Sequence, residues 1–316
     1  MRWRTAAYAS MFIAAALATA AWFAPYLYSE VGFRRDGPPV QLNRPALIRG
    51  RWFDDYFVVE DIDDSTVAIG EPRYYQGNYS YLVLGRQRAL LFDAGTGSRD
   101  IVPVVRSLTH LPVTVVPSHL HFDHVGALGR FERTALPDAP ELRARAADGL
   151  LELQRYEFLG FGDALKEPRF AVNEWWRDGS RIDLGSRRLF VLSTPGHTPT
   201  SVSLYDADRR LLFAGDFIYP GPLYAFLPGA SRSQYLASTR RLLDLVHPTT
   251  RIFAAHMAEN PAGAQAPVLG VADLRALAGT LQQIEAGTLP ATGFYPRFYR
   301  VNDVIDFATG FTWNGS

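Results

Sequence analysis

Ser118-His119-Leu120-His121-Phe122-Asp123-His124 places four potential metal ligands within seven residues, and three of the chain's seven histidines within six. On a single regular helix these side chains diverge, because residues i and i+2 do not share a face. On a strand, i and i+2 do share a face, but i+4 joins them rather than i+5. The economical solution is a loop after a strand, curled around more than one ion. Imidazoles and a carboxylate suit zinc and related divalent metals. The competing reading is a polar loop whose histidines only cap backbone groups.

Four more residues stand where a strand ends or turns. Asp93 ends Leu90-Leu91-Phe92, His197 follows Ser193-Thr194-Pro195-Gly196, Asp216 follows Phe213-Ala214-Gly215, and His256 follows Phe253-Ala254-Ala255. Three have a plainer alternative: His197 as a turn residue, Asp216 as a helix N-cap, His256 as a strand-end cap. His110 and His247, beside helix ends or prolines, read as structural.

The elements that must position these groups are legible from periodicity. Strands are expected over 56–59, 66–69, 78–84, 88–92 and 113–116, the last delivering the chain into the histidine loop. A helix from about Arg99 separates the last two. Later strands are expected over 188–192, 202–205, 211–214 and 251–255, with helices near 233–246 and 271–286. The tail 294–311 has strand composition. Open α/β sheets place ligands at the carboxyl ends of strands, which is where all these residues lie. Residues 138–180 are less regular, with a charged helical run over 141–156 followed by Phe158, Phe161, Phe170, Trp175 and Trp176. They form either a lid or inserted pocket wall, or peripheral helices that pack their rings inward; packing is favoured because aromatic rings are core residues by default.

The 316 residues carry a formal net charge of zero, Lys166 is the only lysine, and there is no cysteine. Disulfides, thiolate metal sites and cysteine nucleophiles are therefore excluded. The neutral balance argues against nucleic acid as a partner. From Thr5 to Ser29 no residue is charged, a length that can cross a hydrocarbon core of about 30 Å as a helix. Residues 1–29 are expected to be an uncleaved signal-anchor, making the membrane a partner, or a signal peptide cut after Ala18-Thr19-Ala20. Either would put the domain outside the cytoplasm, in a bacterial periplasm for example. Residues 30–50, with Gly37-Pro38-Pro39 and Pro45, read as a linker, and 51–316 as the folded domain.

The H-x-H-x-D-H motif, with Asp93 before it and His197, Asp216 and His256 after it in order, resembles the metallo-β-lactamase superfamily. That resemblance implies a four-layer αββα sandwich carrying two divalent ions, zinc foremost, with iron or manganese as alternatives. It assigns His119, His121 and His197 to one ion, and Asp123, His124 and His256 to the other. Asp216 would bridge them, and Asp93 would orient the loop from behind. The implied activity is hydrolysis of a carbonyl substrate by a metal-bridging hydroxide, with Asp123 and Asp216 helping to move protons. The motifs look most like the acyl-homoserine-lactone lactonase branch, in which a tyrosine placed like Tyr219 assists the carbonyl oxygen; Tyr219 packing beside Phe217 is the alternative. Lactones or other esters are thus the expected small-molecule substrates. The other enzymes in view are a thioesterase similar to glyoxalase II, an all-histidine β-lactamase and an iron-dependent sulfur dioxygenase. A membrane-tethered binding module is the non-enzymatic alternative, and a lost ligand would be its mark. Metal identity, substrate, oligomeric state and N-terminal cleavage are not fixed by the sequence.

Overall fold

A computed structural model describes residues 2–32, 47–146, 148–258 and 263–311, with side chains described from residue 15 onward. The expected 30–50 linker lies almost entirely outside the described residues. The helices are α1 (Arg2–Gly32), α2 (Val102–Leu108), α3 (Phe122–Val125), α4 (Pro140–Arg145), α5 (Arg155–Phe158), α6 (Arg232–Leu245) and α7 (Val271–Glu285).

Two sheets face each other. The first has eight strands in the order 51–52, 58–63, 66–71, 78–84, 89–92, 113–116, 133–137 and 174–176. Its first five strands run antiparallel in sequence, and pairing becomes parallel from 89–92 onward. The second has six strands in the order 181–183, 188–193, 202–206, 211–215, 251–254 and 268–270. Between the sheets lies a core that includes Tyr81, Phe92, Phe213 and Phe253, all buried. The rings of Tyr81 and Phe253 lie 5.6 Å apart and those of Phe213 and Phe253 6.0 Å. Burying each such ring contributes about 1.5–3 kcal/mol.

A second core fills the outer side of the first sheet and takes Val104 and Val105 from α2, Phe122 and Val125 from α3, and Leu142 from α4. A third lies outside the second sheet, where α6 presents Leu236 and Leu242 and α7 presents Leu274, Leu277, Leu281 and Ile284 at helical spacing. The order is helix, sheet, sheet, helix, the expected αββα sandwich. A three-stranded sheet joins 221–225 to the tail strands 305–309 and 297–300.

Three expectations change. The helix over 141–156 is broken: α4 stops at Arg145, Gly149 turns the chain at φ +82°, and 150–152 pairs with 169–171 before α5 begins. Within 138–180, Phe158, Phe170 and Trp176 are buried and enter the cores, while Tyr156 and Glu157 line a cavity. The region therefore packs and also supplies a pocket wall. The third change concerns the N-terminus. Among the described residues no helix is long and apolar enough to cross a membrane, so the membrane-anchor reading and the membrane partner find no support. The end of α1 lies instead on the domain. Tyr28 meets the Phe226 ring at 5.0 Å, Ser29 is buried, and Glu30 accepts two bonds from Arg155 at 2.8 and 2.9 Å.

Candidate metal centre

Asp93, the 118–124 loop, His197, Asp216 and His256 come from five strand ends on one rim, and all are buried. Tight turns set the approach. Asp93 itself has φ +64°, and Gly95 follows at φ +62°, where an added Cβ would lie 2.0 Å from Glu71 Oε1. Gly215 has φ +54°, and a Cβ there would sit 2.3 Å from Ser118 Cβ. Only glycine lets the strand end carrying Asp216 come this close to the histidine loop.

Two groups of donors converge. In the first, His119 Nε2 lies 2.8 Å from His121 Nδ1, and His197 Nε2 lies 3.1 Å from the same atom. A tetrahedral zinc with nitrogens at about 2.0–2.1 Å spaces its ligands by about 3.3 Å, so a small opening of the triangle admits the ion. In the second, His256 Nε2 is 3.4 Å and His124 Nε2 3.5 Å from Asp123 Oδ2. Asp216 stands between the groups. Its Oδ1 is 3.0 Å from His256 Nε2 and 3.3 Å from His124 Nε2, and its Oδ2 is 3.6 Å from His197 Nε2. His124 Nε2 and Asp216 Oδ1 are buried without a well-aligned hydrogen bond. Buried atoms so placed call for a cation. The structure thus brings all seven expected ligands together, in three overlapping clusters able to hold an ion.

Burial first, and then the neighbouring imidazoles, hold the pKa values of His119 and His121 well below the usual range, leaving lone pairs on the ring. Burial also lowers His197. At His124 burial opposes charge, but Asp123, Asp216 and Asp93 outweigh it and hold its pKa well above normal. His256 is raised against its burial chiefly by Asp216, whose own pKa is driven well below normal by His256 and His124. The carboxylate side of the centre therefore favours positive charge, and the three-imidazole side offers neutral donors.

The ligands are held from behind. Asp93 Oδ1 accepts from Ser118 N at 2.6 Å, and its Oδ2 is 3.1 Å from His124 Nδ1. Ser118 Oγ lies 3.0 Å from His119 Nδ1 and 3.3 Å from His124 Nδ1, so it is engaged with the imidazoles. His197 Nδ1 meets Tyr224 O at 2.8 Å, and His256 Nδ1 meets Gln76 O at 3.2 Å. Such contacts fix ring orientation and tautomer. Tyr219 is placed differently from a carbonyl donor. Its hydroxyl donates to Pro222 O at 2.5 Å and its ring stands edge-on to His256 at 5.2 Å. It braces His256, and its proton is already committed.

Two residues that the sequence did not single out also serve the centre. Asn78 Nδ2 donates to Asp123 Oδ2 at 3.0 Å and to Asp123 O at 3.1 Å. Glu71, at the end of strand 66–71, accepts from Thr96 N, Thr96 Oγ1 and Tyr56 Oη, and so holds the turn after Asp93. A polar residue at each end of otherwise apolar strands was the available signal. His247 Nδ1 bonds Thr249 and takes no part.

A family model described as the metallo-beta-lactamase superfamily matches residues 74–256. The chain belongs to that superfamily. It is a metal-dependent hydrolase. The acyl-coenzyme A thioesterase MBLAC2 of Gallus gallus is 32% identical over 218 residues, covering 61% of this chain and 76% of that protein. The hydroxyacylglutathione hydrolase of Rhodospirillum rubrum is 27% identical over 200 residues, covering 62% and 69%. A metallo-beta-lactamase from Pontibacter korlensis superposes on 72% of this superfamily member and 99% of its own chain, with TM-score 0.53 and 17% identity, a likeness of fold.

Proposed function

We propose that this hydrolase cleaves an acyl thioester at a centre of two zinc ions. His119, His121 and His197 would hold one ion, and Asp123, His124 and His256 the other, with Asp216 available to both. Asp93 and Asn78 position His124 and Asp123. The observation that carries the two-ion reading is Asp216, whose oxygens lie 3.0 Å from His256 Nε2 and 3.6 Å from His197 Nε2. Zinc is proposed because imidazoles and carboxylates are among its usual ligands.

When bound, the ions lower the pKa of water towards about 7 and polarise a carbonyl, which supplies a nucleophile at neutral pH. The chain's own residues orient that chemistry: Ser118, Asp93, Tyr224 O and Gln76 O fix the rings, and Asn78 keeps Asp123 Oδ2 turned towards the centre. Hydrolysis adds water across the C–S bond and yields an acid and a thiol. Asp123 and Asp216 are the carboxylates placed to relay its protons.

Two named relatives, an acyl-coenzyme A thioesterase and a hydroxyacylglutathione hydrolase, favour a thioester over the lactone expected from the motifs. The lactone reading rested on the motifs and, in addition, on Tyr219 as a donor, and that hydroxyl is bonded to Pro222 O. The test is metal analysis together with a panel of acyl thioester, lactone, β-lactam and phosphodiester. About two zinc per chain and turnover of the thioester above the others are expected. A metal-loaded protein that turns over lactone and leaves thioesters untouched would replace this proposal with the lactonase one.

A further inference from the structure

A cavity of about 240 Å³ opens beside His121 and is also lined by Leu120, Tyr26, Tyr156, Pro228 and Gly229. Small-molecule sites usually measure about 300–1,000 Å³, so a substrate placed here has to extend beyond it. Tyr26, Pro228 and Gly229 are shared with a second lobe of about 480 Å³. That lobe runs back along α1 past Trp22, Ala21 and Ala18, with Phe226, Leu227 and Phe311 opposite. From Tyr26 to Ala18 is eight residues of helix, or about 12 Å. The wall is fixed in place: Tyr26 meets the Tyr156 ring at 4.8 Å, and Glu30 accepts from Tyr156 Oη at 3.0 Å.

We infer that this two-lobed groove, formed where α1 lies across the 225–230 loop, holds a long acyl chain whose carbonyl end reaches His121. Two observations choose this occupant. The inner cavity touches the metal centre at His121, and it shares Tyr26, Pro228 and Gly229 with the outer one. Its inner lobe is lined by Glu141 and by Glu157, whose charge Arg145 offsets, and by no arginine or lysine, so it offers no cation to an anionic leaving group and suits a neutral chain. Trp22 lines the outer lobe yet is 74% exposed, so a chain lying there covers apolar surface that the fold leaves open. Residues 18–26 thereby set chain-length preference. The assignment of a carbonyl at the metals rests on the hydrolase reading above; the occupancy of the groove by a chain does not.

The experiment compares the full-length chain with Ala18→Trp and Ala21→Trp, which fill the outer lobe without touching the metal centre. Acetyl, octanoyl and palmitoyl thioesters are assayed, and palmitate binding is measured by calorimetry with no turnover required. Each buried methylene is worth about fourfold in affinity, so blocking the outer lobe should lower kcat/KM for palmitoyl thioester at least tenfold. Acetyl thioester should stay within about twofold, and palmitate binding should weaken in parallel. Unchanged palmitate binding in both variants overturns the inference, as does an equal loss on acetyl and palmitoyl substrates with melting temperature and zinc content intact. A dimer of the wild type that dissociates in Ala18→Trp without loss of palmitate binding would assign the lobe to a second copy instead. Palmitate binding lost in the variants, with every thioester inert in the wild type, upholds the groove and sinks the thioesterase reading; acetyl turnover without palmitate binding does the reverse.

Discussion

On the metal-facing side of the cavity, side chains are held by directed polar contacts. His197 is tied to Tyr224 O, His256 to Gln76 O, Asp123 to Asn78, and the 118–124 loop to Asp93. On the α1 side, contact is mostly ring against ring, between Tyr26 and Tyr156 and between Tyr28 and Phe226, with the Glu30 pairs as the polar tie. Directed bonds hold atoms to within a few tenths of an ångström, and two neighbouring cations demand that. Ring packing is non-directional and tolerates exchange of one apolar group for another. On the proposed reading, the reaction is fixed by one wall, and the choice among related acyl groups is left to the wall that can vary at little cost.

That contrast can be broken by experiment. The largest effect is expected at Asp216→Ala, which removes the group between the two donor sets: activity should fall by about a thousandfold or more, with loss of bound metal, read by elemental analysis and kinetics. Full activity in that variant would end the two-ion account. Asn78→Ala and Asp93→Asn should each cost about 10–100-fold in metal affinity or activity while leaving the fold intact by circular dichroism. Glu71 gives a pH signature. Burial, opposed by its three hydrogen bonds, pushes its pKa up to about 7 from 4.5. The folded chain then keeps a proton that the unfolded chain loses, so this residue's contribution to stability declines as pH rises from about 4.5 to about 7, by at most about 3 kcal/mol. In metal-free protein, denaturant titrations of wild type and Glu71→Gln should show a difference that changes across that window; a constant difference would contradict the shift. The smallest effect belongs to the α1 wall. Arg155→Ala breaks a half-exposed pair with Glu30, worth about 0–1 kcal/mol, and should leave short-chain turnover within about twofold.

The two walls also differ in how far the sequence disclosed them. The metal side was legible because its ligands are rare residue types set at strand ends, and strands such as 78–84 and 113–116 appeared with the expected bounds. Asn78 and Glu71 escaped because a single polar residue closing an apolar strand has many uses, and only the folded register shows Asn78 opposite His256. The helix expected over 141–156 failed because charged periodicity continued across Gly149, where the backbone turns. The run from Thr5 to Ser29 gave a membrane-span signal that the described residues do not support. An uncharged run reads as a membrane span until tertiary contact is known, and here Ser29 is buried and the rings of Tyr26 and Tyr28 meet Tyr156 and Phe226.

One feature links the two halves of the chain at the floor of the centre. Tyr79 N donates to Ala255 O at 2.7 Å and Met257 N to Gly77 O at 3.2 Å, so the strand end carrying His256 is stitched to the strand that opens with Asn78. A nascent polypeptide still lacking this seam can present the three imidazoles of the first donor set but has no completed seat for a second ion. The second donor set, which needs His256, is therefore complete only when two edges far apart in sequence have met, so its assembly depends on a long-range contact of the kind that forms slowly.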